Sequence, residues 1–227
     1  MDPIDVRAPD GTRIRCLVAG DPTAPAMVLL HGLGEQAAGW EPVAPRLAEA
    51  FRVVALDLRG HGASDRPGVY SYESMRDDVI GVLDSLDLRE VVLVGHSMGG
   101  VVAYLVAAAR PERIARLVVE DAPMPFPRRS VVRERPPGEL PFDWPVVPAI
   151  AAQTDDPHRR WWPLLRDIAA PVLLIAGGPT STIPQDELHE VARLVPDCTL
   201  VTIPAGHHVH ENEPEAFTQT LLDWLAR

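Results

Sequence analysis

The sequence predicts an α/β protein: an open, mostly parallel, twisted sheet with helices packed on its faces. Two observations predict it. Short β-branched runs alternate with helical patterns along the chain. Several of those runs are apolar at every position, as expected of strands covered on both faces. The runs fall at 14–19, 27–31, 53–57, 91–96, 117–121, 172–176 and 199–203. The helical patterns fall at 41–50, 72–84, 98–110, 185–194 and 214–226. The first two runs, with Asp10-Gly11 as the turn, are expected to make an antiparallel hairpin leading into the sheet.

One stretch breaks the rhythm. Residues 122–165 hold ten of the prolines and three of the five tryptophans, Trp144, Trp161 and Trp162. Proline removes donors and stops helices, so loops and short helical turns are expected there, forming a lid over the end of the sheet. The whole chain, 1–227, is expected to be one domain carrying this insertion, since its length suits a single core.

Composition narrows the function. Hydrophobic residues make up 46% of the chain, which is too high for a disordered protein. All 21 basic residues are arginine, and the net charge is −11. That field repels phosphate backbones and anionic lipid, so a small molecule is the expected partner, rather than nucleic acid or membrane. Cys16 and Cys198 are far apart, form no metal motif, and are expected to be buried free thiols. Met1-Asp2-Pro3-Ile4-Asp5 has no basic stretch leading into an apolar one, and no apolar run reaches spanning length. A soluble, cytoplasmic protein is expected.

The strongest chemical signal is Gly95-His96-Ser97-Met98-Gly99-Gly100. It lies between a strand-like run and an apolar helical pattern, the strand–turn–helix context of a G-x-S-x-G nucleophile elbow. Small residues are needed because the turn is tight and the serine backbone strained. An incidental serine in a glycine-rich turn is the competing explanation of the pentapeptide alone. Three further segments accompany it: His31-Gly32-Leu33-Gly34, the run from Asp57 through Arg59 to Asp65, and Ala205-Gly206-His207-His208-Val209-His210. Each closes a strand-like run.

With these motifs in this order, the chain resembles the α/β-hydrolase superfamily, in its serine-nucleophile branch, over essentially its whole length. The resemblance implies Ser97 as nucleophile, His207 as general base, and the Leu33 and Met98 N–H groups as an oxyanion hole. It implies that Asp57, Arg59 and Asp65 shape a loop without doing chemistry. A serine hydroxyl attacks poorly until a neutral imidazole takes its proton, and histidine has an ordinary pKa of about 6.5.

The chain departs from the family pattern at the third member of the triad. The usual Gly-x-x-Asp turn reads Gly177-Gly178-Pro179-Thr180, with Thr180 where the acid should stand. Some members of the superfamily carry the acid one strand earlier, where this chain has Asp121, and Asp121 is the expected acid. Its competing role is a cap at the entrance to the lid. Asp186 and Glu187 are also near, but a helix start already explains them.

His31, His61 and His96 are expected to be buried structural residues. His208 is expected to line the pocket, and His210 to pin the loop. Three histidines within four residues make a poor zinc site, so no metal and no cofactor are expected. The pocket is expected to draw on Trp40, Phe126, Trp144, Trp161 and His208, with Phe142 and Trp162 as further aromatics whose alternative use is packing within the lid. Arg128, Arg129, Arg133 and Arg135 either attract an anionic substrate or form a solvated face.

The expected function is hydrolysis of a small ester or thioester through an acyl-serine intermediate, in the manner of a carboxylesterase. Carbon–carbon bond hydrolysis, lactone hydrolysis and perhydrolysis use the same Ser and His. A non-catalytic ligand-binding relative stands as the alternative from another class, resting on Thr180.

Overall fold

The computed structural model describes residues 1–122, 126, 133–159 and 161–227. Its eight strands are β1 (Asp2–Arg7), β2 (Arg13–Ala19), β3 (Ala26–Leu30), β4 (Arg52–Leu56), β5 (Val91–His96), β6 (Ile114–Glu120), β7 (Val172–Ala176) and β8 (Cys198–Thr202). They form one sheet in the order β1-β2-β4-β3-β5-β6-β7-β8. β2 runs antiparallel to β1 and β4, and the remaining pairings are parallel. The mostly parallel sheet expected from the alternating runs is therefore present.

The helices are α1 (Ala44–Leu47), α2 (Tyr72–Ser85), α3 (Met98–Ala109), α4 (Val146–Asp155), α5 (Trp161–Arg166), α6 (Gln185–Leu194), α7 (Val209–Asn212) and α8 (Pro214–Leu225). None of them is long and apolar enough to cross a membrane, among the described residues. Strand side chains alternate between faces, so each central strand feeds two apolar layers. Val28 and Leu30 join α2 and α3 on one face, whereas Met27 and Leu29 join α1 and α8 on the other. All five β3 residues are buried, which is why the run shows no polar alternation.

Three elements differ from expectation, each for a physical reason. The hairpin turn at Asp10-Gly11 joins β1 to β2, and the run at 27–31 instead pairs in parallel with β4 and β5. β1 escaped notice because it is an edge strand on which only Val6 is buried, and Pro3 is tolerated where the N–H side faces solvent. The pattern at 41–50 holds only the four-residue α1, because Pro42 and Pro45 withhold backbone donors. Within 122–165, α4 runs for ten residues and α5 for six, so the segment is more helical than its prolines suggested. Pro148 and Pro163 sit in first turns, where a missing N–H leaves no hydrogen bond unmade.

Cys16 is buried and Cys198 half-buried, both as free thiols. Burial pushes each thiol pKa up to about 12, so neither is a thiolate at neutral pH.

Candidate active site

β5 passes into α3 through Ser97, whose backbone has φ 50° and ψ −116°. A non-glycine residue at positive φ is strained and persists only where its surroundings hold it. Here the Ser97 N–H donates to the Glu120 carbonyl at 3.0 Å, tying the elbow to the neighbouring strand. The turn also requires close approach. A Cβ on Gly99 would stand 2.4 Å from the Leu30 carbonyl oxygen, so α3 rests directly on the end of β3.

The register of β5 on β6 pairs His96 with Glu120, which sets Ser97 and Asp121 side by side just past the two strand ends. Asp121 has φ 41°, and its N–H donates to the Ile175 carbonyl at 2.8 Å. His207 follows β8, behind Gly206, whose N–H donates to the Gly177 carbonyl at 2.9 Å. The three side chains meet in a line. His207 Nδ1 donates to Asp121 Oδ2 at 2.8 Å, and His207 Nε2 stands 3.0 Å from Ser97 Oγ, placed to accept its hydrogen.

The Asp121 side chain is wholly buried, which alone would raise its pKa. Bonds from His207, Ser181, Gly177 and Gln185 outweigh burial and hold the carboxyl below its ordinary value. Gly177 N–H donates to Oδ1 at 2.8 Å, Gln185 Nε2 donates to Oδ1 at 3.2 Å, and the Ser181 hydroxyl donates to Oδ2. The turn in which Thr180 replaces an aspartate thus supplies donors to the carboxylate one strand away. Asp186 is exposed in the first turn of α6, beside Glu187.

Behind this line lies a second layer of ionisable side chains. His96 Nε2 donates to the His207 carbonyl at 2.9 Å, and His96 Nδ1 stands 3.2 Å from Glu35 Oε2. Glu120 is buried and accepts from the His210 N–H and Nδ1, at 2.9 and 2.8 Å. Burial opposes a charge on His96, but Glu120 and Glu35 outweigh it and raise its pKa to about 9. At His31 and His61 burial outweighs the nearby carboxylates, Glu35 and Asp57, and takes the two rings down to about 4 and about 3. His31 donates from Nδ1 to the Gly32 carbonyl at 2.7 Å and accepts from the Leu58 N–H at 3.0 Å.

His208 Nε2 lies 3.2 Å from Glu35 Oε1. The donor atoms of Glu35, His96 and His208 fall within 4.8 Å of one another, a set whose chemistry suits a divalent cation. Their present contacts also suit a carboxylate bridging two imidazoles, with the Gly32 N–H donating to it at 2.8 Å.

A cavity of about 280 Å³ opens onto Ser97, lined also by Leu33, Met98, Arg133, and by Ile150 and Thr154 of α4. Among the described residues, no protein acceptor takes the Leu33 or the Met98 N–H.

The aromatic residues expected in the pocket lie elsewhere. Trp40 is fully buried and stacks on His210 with centroids 4.1 Å apart, where its indole N–H has no partner among the described residues. Trp161 is buried edge-on against Tyr72, and Phe126 packs edge-on against Trp162. Trp144 and Phe142 line a different cavity with Arg66 and Arg135. Arg128 and Arg129 lie outside the described residues.

The loop after β4 is structural in its contacts. Asp57 accepts from the Ala37 and Ala63 N–H groups at 2.7 and 2.8 Å, Arg59 is buried against Asp78 at 2.5 Å, and Asp65 accepts from the Arg13 N–H at 2.8 Å. Sequence reasoning missed Glu35, Glu120, Ser181 and Gln185. Glu120 carried a signal, as a charged residue at the end of an otherwise apolar run.

A mostly parallel sheet with a serine on its strand–helix elbow defines the class, a hydrolase built on the α/β-hydrolase fold. The chain belongs to the α/β-hydrolase family, whose model, described as alpha/beta hydrolase fold, matches residues 25–144. It is 30% identical to the mouse sn-1-specific diacylglycerol lipase ABHD11, over 92% of this chain and 84% of that protein. It is 27% identical to the 2-(acetamidomethylene)succinate hydrolase of Mesorhizobium japonicum, over 96% and 94%. A solved thermophilic esterase from Thermogutta terrifontis, with malate bound, superposes with a TM-score of 0.83 at 25% identity, over 100% of this chain and 98% of that one.

Proposed function

We propose that this hydrolase cleaves a small ester or thioester through an acyl-serine intermediate, with Ser97 as nucleophile, His207 as general base and Asp121 as the acid. The observation that carries this reading is the unbroken line from Asp121 Oδ2 through both ring nitrogens of His207 to Ser97 Oγ. In the first half-reaction Ser97 Oγ bonds to the substrate carbonyl carbon while its proton passes to His207 Nε2. Asp121 fixes the tautomer and stabilises the imidazolium that forms. The carbonyl oxygen becomes an oxyanion facing the Leu33 and Met98 N–H groups. When the tetrahedral adduct collapses, the leaving alkoxide or thiolate takes the proton from Nε2. Water then gives its proton to the same nitrogen and attacks the acyl carbon, which releases the acid and restores the serine hydroxyl.

The cavity volume, about 280 Å³, is at the lower end of the range for ligand pockets and favours a short acyl group. Its wall includes three residues of α4, so we assign part of the 122–165 insertion to covering the site. A lipase and an esterase among the compared proteins are in keeping with ester cleavage.

A fluorophosphonate probe followed by mass spectrometry tests the reading, together with turnover of short p-nitrophenyl esters. Stoichiometric labelling of Ser97 is expected, with loss of labelling and turnover in Ser97→Ala at an unchanged melting temperature. His207→Ala should lower kcat by about a thousandfold or more. A folded wild type that neither labels nor turns over would make the protein a ligand-binding relative instead.

A further inference from the structure

We propose that the Ser97 cavity selects small esters that carry a second, ionised carboxylate, and that Arg133 is the group that recognises it. The inference rests on the hydrolase reading above and names the substrate class for that site.

Arg133 lines the same cavity as Ser97. The rest of the wall is apolar or hydroxylic, including Leu33, Ile150, Thr154 and Thr182, and contains no carboxylate among the described residues. Among the described residues, the one formal charge on that wall is therefore positive, in a protein whose net charge is −11. An anion gains nothing from the long-range field of such a molecule, so attraction has to be local.

The other arginines near structural carboxylates are committed. Arg13 and Arg15 pair with Asp5, Arg59 with Asp78, and Arg113 with Asp84. Arg135 bonds to the carbonyls of Pro136 and Gly138. Arg133 has neither an ion pair nor a hydrogen bond to any described residue. Its guanidinium can present two parallel N–H donors to a carboxylate, a geometry a point charge does not match. Tyr72 and Thr154 also line this cavity, with the Tyr72 hydroxyl donating to Thr154 Oγ1 at 2.9 Å and Thr154 donating to the Ile150 carbonyl at 2.9 Å, so neither hydroxyl competes with Arg133 as a donor. Placing the carboxylate on Arg133 orients the substrate with its ester toward Ser97, so the fork acts in positioning as well as affinity.

The test uses two esters of equal acyl length and the same leaving group, phenyl butyrate and monophenyl succinate, with uncatalysed hydrolysis subtracted. Arg133 is exposed, so solvent screens the contact, and the wild type is expected to favour the succinate half-ester in kcat/KM by about three- to fivefold. Arg133→Gln should collapse that ratio toward one, chiefly through KM on the half-ester, and Arg133→Lys should restore part of it. Raising salt should shrink the wild-type ratio as well. A wild-type ratio near one, or a ratio unchanged in Arg133→Gln, overturns the proposal. Calorimetric titration of Ser97→Ala with the same pair reads recognition without turnover, so it separates this proposal from the hydrolase reading. Tighter binding of the half-ester that disappears on adding Arg133→Gln supports the proposal even without catalysis, and equal binding of the two esters refutes it.

Discussion

Ser181 donates its hydroxyl hydrogen to Asp121 Oδ2, the same carboxylate oxygen that receives His207 Nδ1–H. The Ser181 oxygen in turn accepts from the Ile183 N–H at 2.9 Å, so the donor is fixed in direction. Removing it in Ser181→Ala leaves Asp121 with fewer donors and a less stabilised charge. The Asp121 pKa should rise, and kcat should fall by about tenfold, the value of one bond to a charged group. The pH–rate profile checks this: its acid limb should move to higher pH in the variant, and an unmoved limb would assign Ser181 to loop structure alone.

Asp121→Asn should cost at least about a hundredfold in kcat, because an amide can hold the wrong tautomer of the histidine. Asp186→Asn should stay within about twofold, since Asp186 is exposed at the start of α6. Steady-state kinetics on any ester the wild type cleaves gives both values. The reverse pattern would move the acid to Asp186, and near-normal activity in both variants would leave a Ser–His dyad supported by hydroxyls.

Stability should pass through a maximum close to neutral pH, with His96 acting on the alkaline side and His31 and His61, together with the depressed carboxyls of Asp121, Glu120 and Glu35, acting on the acid side. His96 has a folded pKa of about 9, raised against burial by Glu120 and Glu35, with His208 and His210 also against its ring. A raised pKa stabilises fully below the unfolded value of about 6.5, and the contribution fades as pH climbs to and past 9. His31 and His61 have the opposite sign. Their folded values of about 4 and about 3 stabilise above 6.5, and that contribution is lost as pH falls through the acid range. Melting temperatures from pH 4 to 10 should therefore decline on both sides. His96→Gln should flatten the alkaline decline; an alkaline decline of unchanged steepness would contradict the His96 assignment.

Activity should be unaffected by a strong chelator, because the proposed steps use only side chains and backbone donors. Assay before and after prolonged dialysis against EDTA checks it. A loss restored by added zinc would direct attention to Glu35, His96 and His208, whose donor atoms already converge.

How much of this was legible in the sequence follows from how locally each feature is encoded. The parallel strands were visible because burial on both faces leaves apolar runs such as 26–30 with no polar interruption. The elbow was visible because its glycines answer to close backbone contacts. β1 was not, since an edge strand with one buried side chain has almost no hydrophobic period. The aromatic residues were misdirected for another reason. Trp40 and Trp161 carry the composition of a pocket wall, but only tertiary packing decides that one lies under His210 and the other against Tyr72. Ser181 and Glu35 were hidden because their partners are distant in sequence, and no local pattern marks a residue that serves another's charge.

The contact between Gly99 and the Leu30 carbonyl has a bearing on how this enzyme can change. With no side-chain layer between Gly99 and the Leu30 and His31 carbonyls, α3 meets the end of β3 backbone to backbone, and no side chain there can be trimmed to shift one against the other. The opposite wall is built differently, since Ile150, Ala151 and Thr154 meet the cavity through side chains on a surface helix. Substitutions there can resize the cavity without disturbing the reacting groups. Under the proposed ester cleavage, diversification toward longer or bulkier acyl groups therefore has a natural address on α4.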